Sequence, residues 1–336
     1  MTQYRFVALA LGLLVLGSAG FMTSWSAGAH ETTFTQTLAY FTGDDGSNTA
    51  FSVRQLRIPR SLCAFGVGVA LALSGALIQV IVRNPLGDPG LTGVSAGAAF
   101  GVAITLTLIT PSPFALTLAG FAGGFAAAAL TFSISGAGRG AAMQPVRIIL
   151  AGIAVSVFFL GATSAVMVLA RSSMQTLYFW LVGGFINRGW GDVGLLWPVL
   201  IVCAAAIFML APVLRLLRFD DTMAMAMGVR AGPWRLVAGI FSVALAGVCV
   251  AVAGPLSFVG FIAPHLARLG LGSRAGTPPI TIWLLTTALF GGVLVLWADC
   301  AAKLFLNGRV PAGVFTTVFG GLVFLVMARR GLADAR

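Results

Sequence analysis

Long apolar windows separated by short polar segments run along the whole chain. Each window holds about 20 mostly apolar residues, the length that an α-helix needs to cross the hydrocarbon core of a bilayer. The windows are too long and too evenly apolar for the alternating strands of a membrane β-barrel. We therefore expect ten transmembrane helices, at residues 6–22, 61–82, 91–109, 114–134, 148–169, 193–214, 236–253, 256–271, 280–298 and 312–326.

The composition supports the same fold class. Hydrophobic residues make up 59% of the chain and charged residues only 9%, whereas a soluble domain carries roughly 25% charged residues. Glycines such as Gly68 and Gly75 lie inside apolar windows, where small residues let helices pack closely in lipid. We predict an all-α integral membrane protein in which residues 1–336 form a single transmembrane domain.

The basic residues are distributed unevenly between the two sides of the predicted bundle. With the amino terminus inside and ten crossings, thirteen of the twenty Lys and Arg residues lie on the inner side. This excess follows the positive-inside rule, so we expect a multi-pass protein of the bacterial inner membrane with both termini in the cytoplasm. The arginines are scattered over two faces and form no single stripe, which argues against a nucleic-acid partner. Membrane lipid is the expected surrounding.

Several basic residues fall on the outer side, against the general bias. Arg54, Arg57 and Arg60 recur every third residue before the second span, so a helix there would place them near one face. They would then attract the carboxylates of an acidic external partner, or extend to lipid headgroups instead. We assign the candidate docking surface to Arg54, Arg57, Arg60, Lys303 and Arg309.

The chain lacks the residues that ATP hydrolysis needs. A phosphate-binding P-loop requires Gly-Lys-Ser/Thr, but the single lysine, Lys303, is followed by Leu304. We expect no catalytic residues and no bound cofactor, with ATP and Mg²⁺ held by partner subunits. The four cysteines have no paired spacing, which argues against a metal site.

Proton-coupled secondary transport is the alternative from another class. Such transporters usually carry carboxylates or histidines within their spans, and His265 is the only histidine inside a predicted span. We expect His265 to pack in a gate. Asp299 is expected to pair with Lys303, four residues further on.

The longest inner loop, residues 215–235, contains a short methionine-rich segment. Asp221 is expected to cap a short helix that Gly228 ends, and the methionines would give it an adaptable apolar surface. Such a helix could dock a soluble motor domain or lie in the headgroup layer. We assign coupling to Asp221, Ala224, Met225, Met227, Gly228 and Val229.

Candidate pore residues come from three further segments. Residues 83–90 form a tight turn because two prolines prevent a continuous helix, the aromatic outer segment 172–191 is too short to span, and the fifth span carries small, weakly polar side chains. We assign the pore and gate to Asn84, Pro85, Ser156, Thr163, Ser164, Asn187, Arg188 and His265.

Ordered motifs along nearly the whole chain resemble the FecCD-type permeases of bacterial ABC importers for iron chelates and cobalamin. These motifs are Arg57-Ile58-Pro59-Arg60, Ser74-Gly75 with Gln79, Arg83-Asn84-Pro85-Leu86, Gly93-Val94-Ser95-Ala96-Gly97-Ala98, Leu150-Ala151-Gly152-Ile153-Ala154, Phe179-Trp180-Leu181-Val182-Gly183, Met227-Gly228-Val229, Phe258-Val259-Gly260-Phe261-Ile262-Ala263-Pro264-His265-Leu266-Ala267-Arg268, Ala298-Asp299 and Val310-Pro311-Ala312-Gly313-Val314.

The resemblance implies a type II ABC importer permease. It implies a dimer with a central pore, two cytoplasmic ATPase subunits, and a periplasmic binding protein that docks on Arg57 and Arg60 through acidic residues. Lys303 stands where many relatives carry an arginine, and Met225 where many carry a basic residue. The expected cargo is a ferric siderophore, with haem or cobalamin as the alternative, and the second permease copy is identical or a sister chain.

Overall fold

The computed structural model describes residues 2–26, 47–108, 112–136, 145–169, 181–272, 278–305 and 310–334. All regular secondary structure in these ranges is helical. The α-helices are α1 (Thr2–Ser26), α2 (Asn48–Val82), α3 (Val94–Leu108), α4 (Pro113–Ile134), α5 (Pro145–Leu169), α6 (Trp190–Met209), α7 (Ala211–Leu216), α8 (Asp221–Ala226), α9 (Ala231–Ala253), α10 (Val259–Leu271), α11 (Ile280–Leu304) and α12 (Ala312–Asp334).

The helices match the predicted membrane spans. Seven of them (α1, α2, α4, α5, α6, α9 and α11) are long and apolar enough to cross a membrane, and shorter apolar helices are present in α3, α10 and α12. Each coincides with one predicted window. The prediction of an all-α membrane fold is therefore confirmed.

Two helix boundaries differ from the predicted windows. The window at 193–214 is interrupted at Leu210, between α6 and α7, because the ring nitrogen of Pro212 has no hydrogen to donate to a preceding turn. The second span begins earlier than predicted, at Asn48, and contains a π-helical stretch at Ser52–Arg57. π-helical turns are rare and occur mostly within α-helices.

Helix α2 forms the centre of the bundle. In its most apolar window 89% of the residues are buried, and it packs against α9, α10 and α11. Gly68 approaches the backbone of Gly291, and Gly75 approaches the backbone of Gly260, so closely that an added methyl group would overlap the facing chain. Glycine is required at these contacts because only a bare backbone fits.

Helices α1, α5 and α6 lie at the periphery. Only 17%, 28% and 22% of their apolar windows are buried. Their outward faces carry large apolar side chains such as Leu11 and Phe158. Water solvates such faces poorly, so lipid or another apolar surface must cover them.

A seam of hydrogen bonds joins the first helix to α11, far along the chain. The donors are side chains on successive turns of α11, and the acceptors are oxygen atoms on successive turns of α1. The bonds run from Trp297 Nε1 to Leu16 O (3.1 Å), from Cys300 Sγ to Gly20 O (3.3 Å) and from Lys303 Nζ to Ser24 Oγ (2.6 Å).

The two ends of the bundle are chemically distinct and are named here by one carboxylate each. The Asp221 end carries α8 and the turn that follows α2, whereas the Asp299 end carries the start of α2 and the end of α11. At the Asp221 end, Arg83 ends α2 in the left-handed conformation with φ +53°. The backbone N–H of Gly87 then bonds to Asn84 O at 3.1 Å, which confirms the predicted tight turn.

Candidate functional site

Helix α8 is capped by Asp220, one residue earlier than predicted. Asp220 has extended backbone angles, and its carboxylate accepts from Met223 N at 3.0 Å and from the Thr222 hydroxyl at 2.9 Å. These hydrogen bonds lower the pKa of Asp220, with that from Thr222 contributing most. The prediction that Asp221 is the cap is therefore wrong, because the backbone of Asp221 is already helical.

Asp221 instead joins α8 to two long helices. Its carboxylate accepts hydrogen bonds from Nη1 (3.2 Å) and Nη2 of Arg235 on α9. Arg83 at the end of α2 contributes a second cation, with Nη2 3.4 Å from Asp221 Oδ1. Arg83 also donates to Phe219 O at 3.2 Å. A displacement of α8 must therefore strain both α2 and α9.

The burial of Arg235 makes this link strong. Its side chain has no exposed surface, whereas Asp221 is 28% exposed. Taking a guanidinium out of water costs several kcal/mol unless a carboxylate and hydrogen bonds compensate. The position of α8 is therefore coupled to the stability of α9.

The carboxyl end of α8 has the hydrogen bonding of a Schellman motif. Gly228 takes φ +83°, its N–H donates to Met225 O, and Val229 N donates to Ala224 O, both at 2.9 Å. Few residues other than glycine tolerate this backbone conformation. The prediction that Gly228 ends the helix is confirmed.

Helix α8 presents methionines outward and a small residue inward. Met223, Met225 and Met227 are 47%, 57% and 47% exposed, and Ala224 is fully buried. Flexible, polarizable methionines adapt to a partner surface. The exposed face of α8 thus has the character of a docking surface.

A second charged cluster lies at the Asp299 end. Arg60 Nε lies 3.1 and 3.0 Å from the two oxygens of Asp299, and Arg60 Nη2 lies 2.7 Å from Oδ1. Lys303 Nζ lies 3.3 Å from Asp299 Oδ2, which confirms the predicted i,i+4 pair. Asp299 is fully buried, and the Arg60 side chain remains 19% exposed.

Arg57 does not share an outward face with Arg60. It is buried and donates to the carbonyls of Trp25 (2.8 Å) and Ser26 (3.0 Å) at the end of α1. The expectation of three outward arginines assumed α-helical spacing, but π-helical turns contain more residues per turn. Trp190 Nε1 donates to the carbonyl of Arg54 at 3.1 Å, and Arg309 lies outside the described residues.

The predicted pore hydroxyls on α5 bond within their own helix. Thr163 Oγ1 donates to Phe159 O at 2.8 Å, and Ser164 Oγ donates to Leu160 O at 2.9 Å. Thr163 is buried, whereas Ser164 is exposed and Ser156 is half-buried. Because each hydroxyl proton is donated within the helix, these side chains can offer a passing solute acceptor lone pairs but no donor.

The other predicted gate residues lie on separate elements. Asn187 is exposed with φ +58°, and Arg188 pairs with Asp192 at 3.4 Å. His265 on α10 stacks on Phe261, with ring centroids 6.5 Å apart. Of the segment 172–191, only residues from 181 onward are described.

Asn84 and Pro85 lie together at the Asp221 end. The Asn84 side chain accepts from Leu86 N at 2.9 Å, which holds the turn that Pro85 begins. Both residues line a cavity at this end of the bundle. They lie at the turn between α2 and α3, and not on α5.

Sequence reasoning missed the main partners of both carboxylates. Arg235 lies fourteen residues after Asp221, and Arg60 lies 239 residues before Asp299. Neither pair lies on one helix at the three- or four-residue spacing that would suggest a contact from the sequence. The detectable signal was an arginine at the start of an apolar helix, where a buried partner is needed.

In the part of the chain that the structure describes, ten apolar helices carry the two charged clusters at their ends, as expected of a polytopic membrane protein. The chain belongs to the FecCD transport family, whose family model matches residues 13–330. This confirms the resemblance found in the motifs.

Individual relatives agree with this assignment. The chain is 36% identical over 286 residues to the Fe(3+) dicitrate transport system permease protein FecC of Escherichia coli, covering 83% of each chain. It is 32% identical to the Fe(3+)-citrate import system permease protein YfmD of Bacillus subtilis, covering 95% of this chain and 93% of the relative. A solved inward-facing conformation of a putative metal-chelate type ABC transporter superposes with a TM-score of 0.82 at 27% identity, covering 96% of this chain and 99% of that one.

Proposed function

We propose that this chain is the membrane-spanning permease subunit of an ABC importer that carries a ferric siderophore or related iron chelate across the inner membrane. Its family and the names of the two relatives support this class of cargo. Separate ATPase subunits bind ATP and Mg²⁺ and supply the energy. A haem or cobalamin cargo is the alternative within the family.

The observation that carries the proposal is the attachment of α8 to α2 and α9 through Asp221. A helix that docks an ATPase must transmit its movement to the pore, and a flexible loop could not do so. Here the exposed methionines supply the contact surface, and the buried pair of Asp221 and Arg235 supplies the stiff connection. In this proposal the Asp221 end and both termini face the cytoplasm.

Transport then follows from a population shift between two arrangements of the permease. ATP binding in the partner subunits favours one arrangement, and a ligand shifts an equilibrium only by its difference in affinity for the two states. Movement of α8 biases α2, the buried centre of the bundle. The cargo passes between two permease copies, identical or sister chains, whose peripheral apolar faces meet or contact lipid.

The Asp299 end is the proposed docking surface for the periplasmic binding protein. Arg60 uses Nε and Nη2 on Asp299, so its Nη1 can donate to a carboxylate of the partner. Lys303 adds a second charge at the same carboxylate, and Arg57 holds the end of α1 in place beneath them. Arg54 and Arg309 complete the proposed surface.

Proton-coupled transport is less well supported by the described charges. Asp299 is fully buried and is held between Arg60 and Lys303, so its carboxylate is already engaged by two side chains of its own chain. His265 stacks on an aromatic ring. An autonomous secondary transporter would still be revealed by uptake in vesicles that contain only this chain.

The test is uptake of a radioactive iron(III) chelate by vesicles that contain the permease with its own ATPase and binding protein. We expect uptake only with ATP inside and all three components present. Uptake driven by a pH gradient in vesicles with the permease alone would contradict the proposal. Competition with unlabelled siderophore, citrate chelate, haem and cobalamin identifies the cargo.

A further inference from the structure

A basic cavity of about 230 Å³ lies at the Asp221 end of the bundle. Its charged lining residues are three arginines, from the end of α2, the segment after α7 and the last turn of α10. Among the described residues, none that lines the cavity carries a carboxylate. The cavity is lined by Gln79, Val80, Arg83, Asn84, Pro85, Arg218, Arg268, Pro278 and Trp283.

Trp283 holds two of the arginines in one place. Its Nε1 donates to Pro264 O at 3.1 Å, which fixes the indole ring. The guanidinium carbons of Arg218 and Arg268 lie 4.6 and 5.2 Å from the ring centroid. Arg268 also donates to the side-chain oxygen of Gln79. The two cations are thus positioned by the ring and an amide.

The cluster has more positive charge than its protein partners neutralise. Among the described residues, Arg83 forms an ion pair with Asp221, whereas neither Arg218 nor Arg268 lies within ion-pair distance of a carboxylate. Burial and the charge of Arg268 lower the pKa of Arg218 to about 10, so Arg218 remains protonated at neutral pH. Two cations brought together without a carboxylate repel one another, and an anion in the cavity would remove that cost.

We propose that this cavity binds a phosphate group, presented either by the headgroup of an anionic phospholipid or by free phosphate. Guanidinium groups bind phosphate oxygens through paired hydrogen bonds. The lining residues lie at helix ends, the depth at which headgroups meet a membrane protein, and basic pockets between membrane helices are known to bind such headgroups. This proposal is independent of the cargo, and it shares Arg83 with the link between α8 and α2.

The first experiment uses inorganic phosphate and the purified full-length permease in detergent. Thermal unfolding is followed as phosphate is titrated against chloride at matched ionic strength. We expect the unfolding temperature to rise with phosphate and to reach a plateau. The dissociation constant for phosphate should be roughly tenfold larger in Arg218→Gln and in Arg268→Gln, since each variant removes a charge-assisted contact. The matched control is Arg215→Gln, an exposed arginine on α7 that does not line the cavity.

The second experiment distinguishes the two sources of the phosphate group. Native mass spectrometry of the permease records retained lipid after titration with phosphatidylglycerol or phosphatidylcholine. Selective retention of phosphatidylglycerol that Arg218→Gln and Arg268→Gln abolish identifies a headgroup site. A response to inorganic phosphate without selective lipid retention identifies free phosphate.

Three results would overturn the proposal. They are equal stabilisation by chloride and phosphate, equal binding by the Arg215 and cavity variants, and no binding in either experiment. If the last result accompanies weakened ATPase assembly in the cavity variants, the occupant is a carboxylate of the ATPase. Should a glutamine variant fail to fold, Arg218→Met and Arg268→Met remove the charge but keep an apolar stem against Trp283, and unchanged phosphate affinity in both would also refute the site.

Discussion

Asp221 accepts hydrogen bonds from both terminal nitrogens of Arg235, a residue with no exposed surface. The pair joins a helix of six residues, α8, to the 23-residue α9. Such a short helix has little stability of its own, so its position depends on this contact and on Arg83.

Replacing Asp221 by Ala should destabilise the permease by about 3 kcal/mol, because it leaves the buried guanidinium of Arg235 without its carboxylate. Thermal unfolding of the purified protein measures the loss. The control is Asp220→Ala, which removes the helix cap at an exposed position and should lower the unfolding temperature much less.

A double variant distinguishes the effect of an unpaired buried charge on stability from the effect of the lost link on transport. Replacing Asp221 and Arg235 together by methionine removes both charges, and apolar replacement of a buried pair is often neutral. We expect stability close to the parent but reduced ATP-driven uptake, because the rigid link is lost. Normal uptake by this stable double variant would contradict the coupling role of the pair.

Asp299→Asn should loosen the other end of the bundle. Arg60 and Lys303 would keep their positions beside a neutral amide, and we expect a loss of about 2 to 3 kcal/mol because buried charges lose their counter-ion. Hydrogen exchange at the end of α1 should rise at the same time. Asp192→Asn is a suitable control, since the pair of Arg188 and Asp192 is an ordinary i,i+4 contact and should contribute less than about 1 kcal/mol.

Gly228→Pro should abolish ATP-driven uptake while the membrane dimer still assembles. Proline fixes φ near −65°, whereas Gly228 has φ +83° and donates its N–H to Met225 O. Uptake and size-exclusion chromatography measure the two properties. Gly232→Ala, at an open position on α9, should change neither, and retained uptake in Gly228→Pro would refute the role of this turn.

Asp88, in the turn after α2, should make stability fall with rising pH. Burial raises its pKa from 3.8 to about 6. The folded protein therefore holds a proton that the unfolded chain releases between these values, and stability is lost as pH rises through that window. Asp88→Asn should remove this fall and still cap the turn through Gly90 N.

The contribution of Asp220 to stability should change with pH in the opposite direction to that of Asp88. Its pKa is lowered by its hydrogen bonds, so its contribution is present above the ordinary value of 3.8 and is lost as pH falls below it. Asp220→Asn should leave the decline between pH 4 and pH 6 unchanged. Unfolding temperatures measured across this range in both variants check the two signs.

Gly75→Ala should destabilise the bundle by about 1 to 3 kcal/mol through overpacking, because its added methyl group would overlap the backbone of Gly260. Gly12 on α1 has open space around it, so Gly12→Ala should be neutral or slightly stabilising. Equal unfolding temperatures for both variants would show that α2 and α10 do not pack this closely.

The fold could be predicted from the sequence because the bilayer requires each spanning segment to be an apolar helix of about 20 residues. Each apolar window has to satisfy its backbone internally, so helices at those positions follow directly. The exceptions are local: the helix break before Pro212 and the π-helical stretch before Ile58 depend on single hydrogen bonds, and an average over a window does not reveal them.

The candidate sites were predicted as segments but not as contacts. The loop at 215–235 and the glycine at its turn were identifiable from composition. The cap at Asp220 could not be identified in this way, because two adjacent aspartates are equally good helix caps. Only the structure shows that Asp221 pairs with the buried Arg235 and leaves the cap to Asp220. The burial of Arg57 likewise depends on the π-helical stretch, which the three-residue spacing of the arginines does not reveal.

The seam between α1 and α11 has a consequence for biogenesis. Lys303 reaches Ser24 across 279 positions of sequence, so the seam between α1 and α11 cannot close until α11 has been synthesised. Contacts so distant in sequence form late. Until then Arg57 on α2 can already hold the end of α1, whereas a nascent chain that stops before α11 leaves the hydrogen-bond acceptors of the seam without their partners.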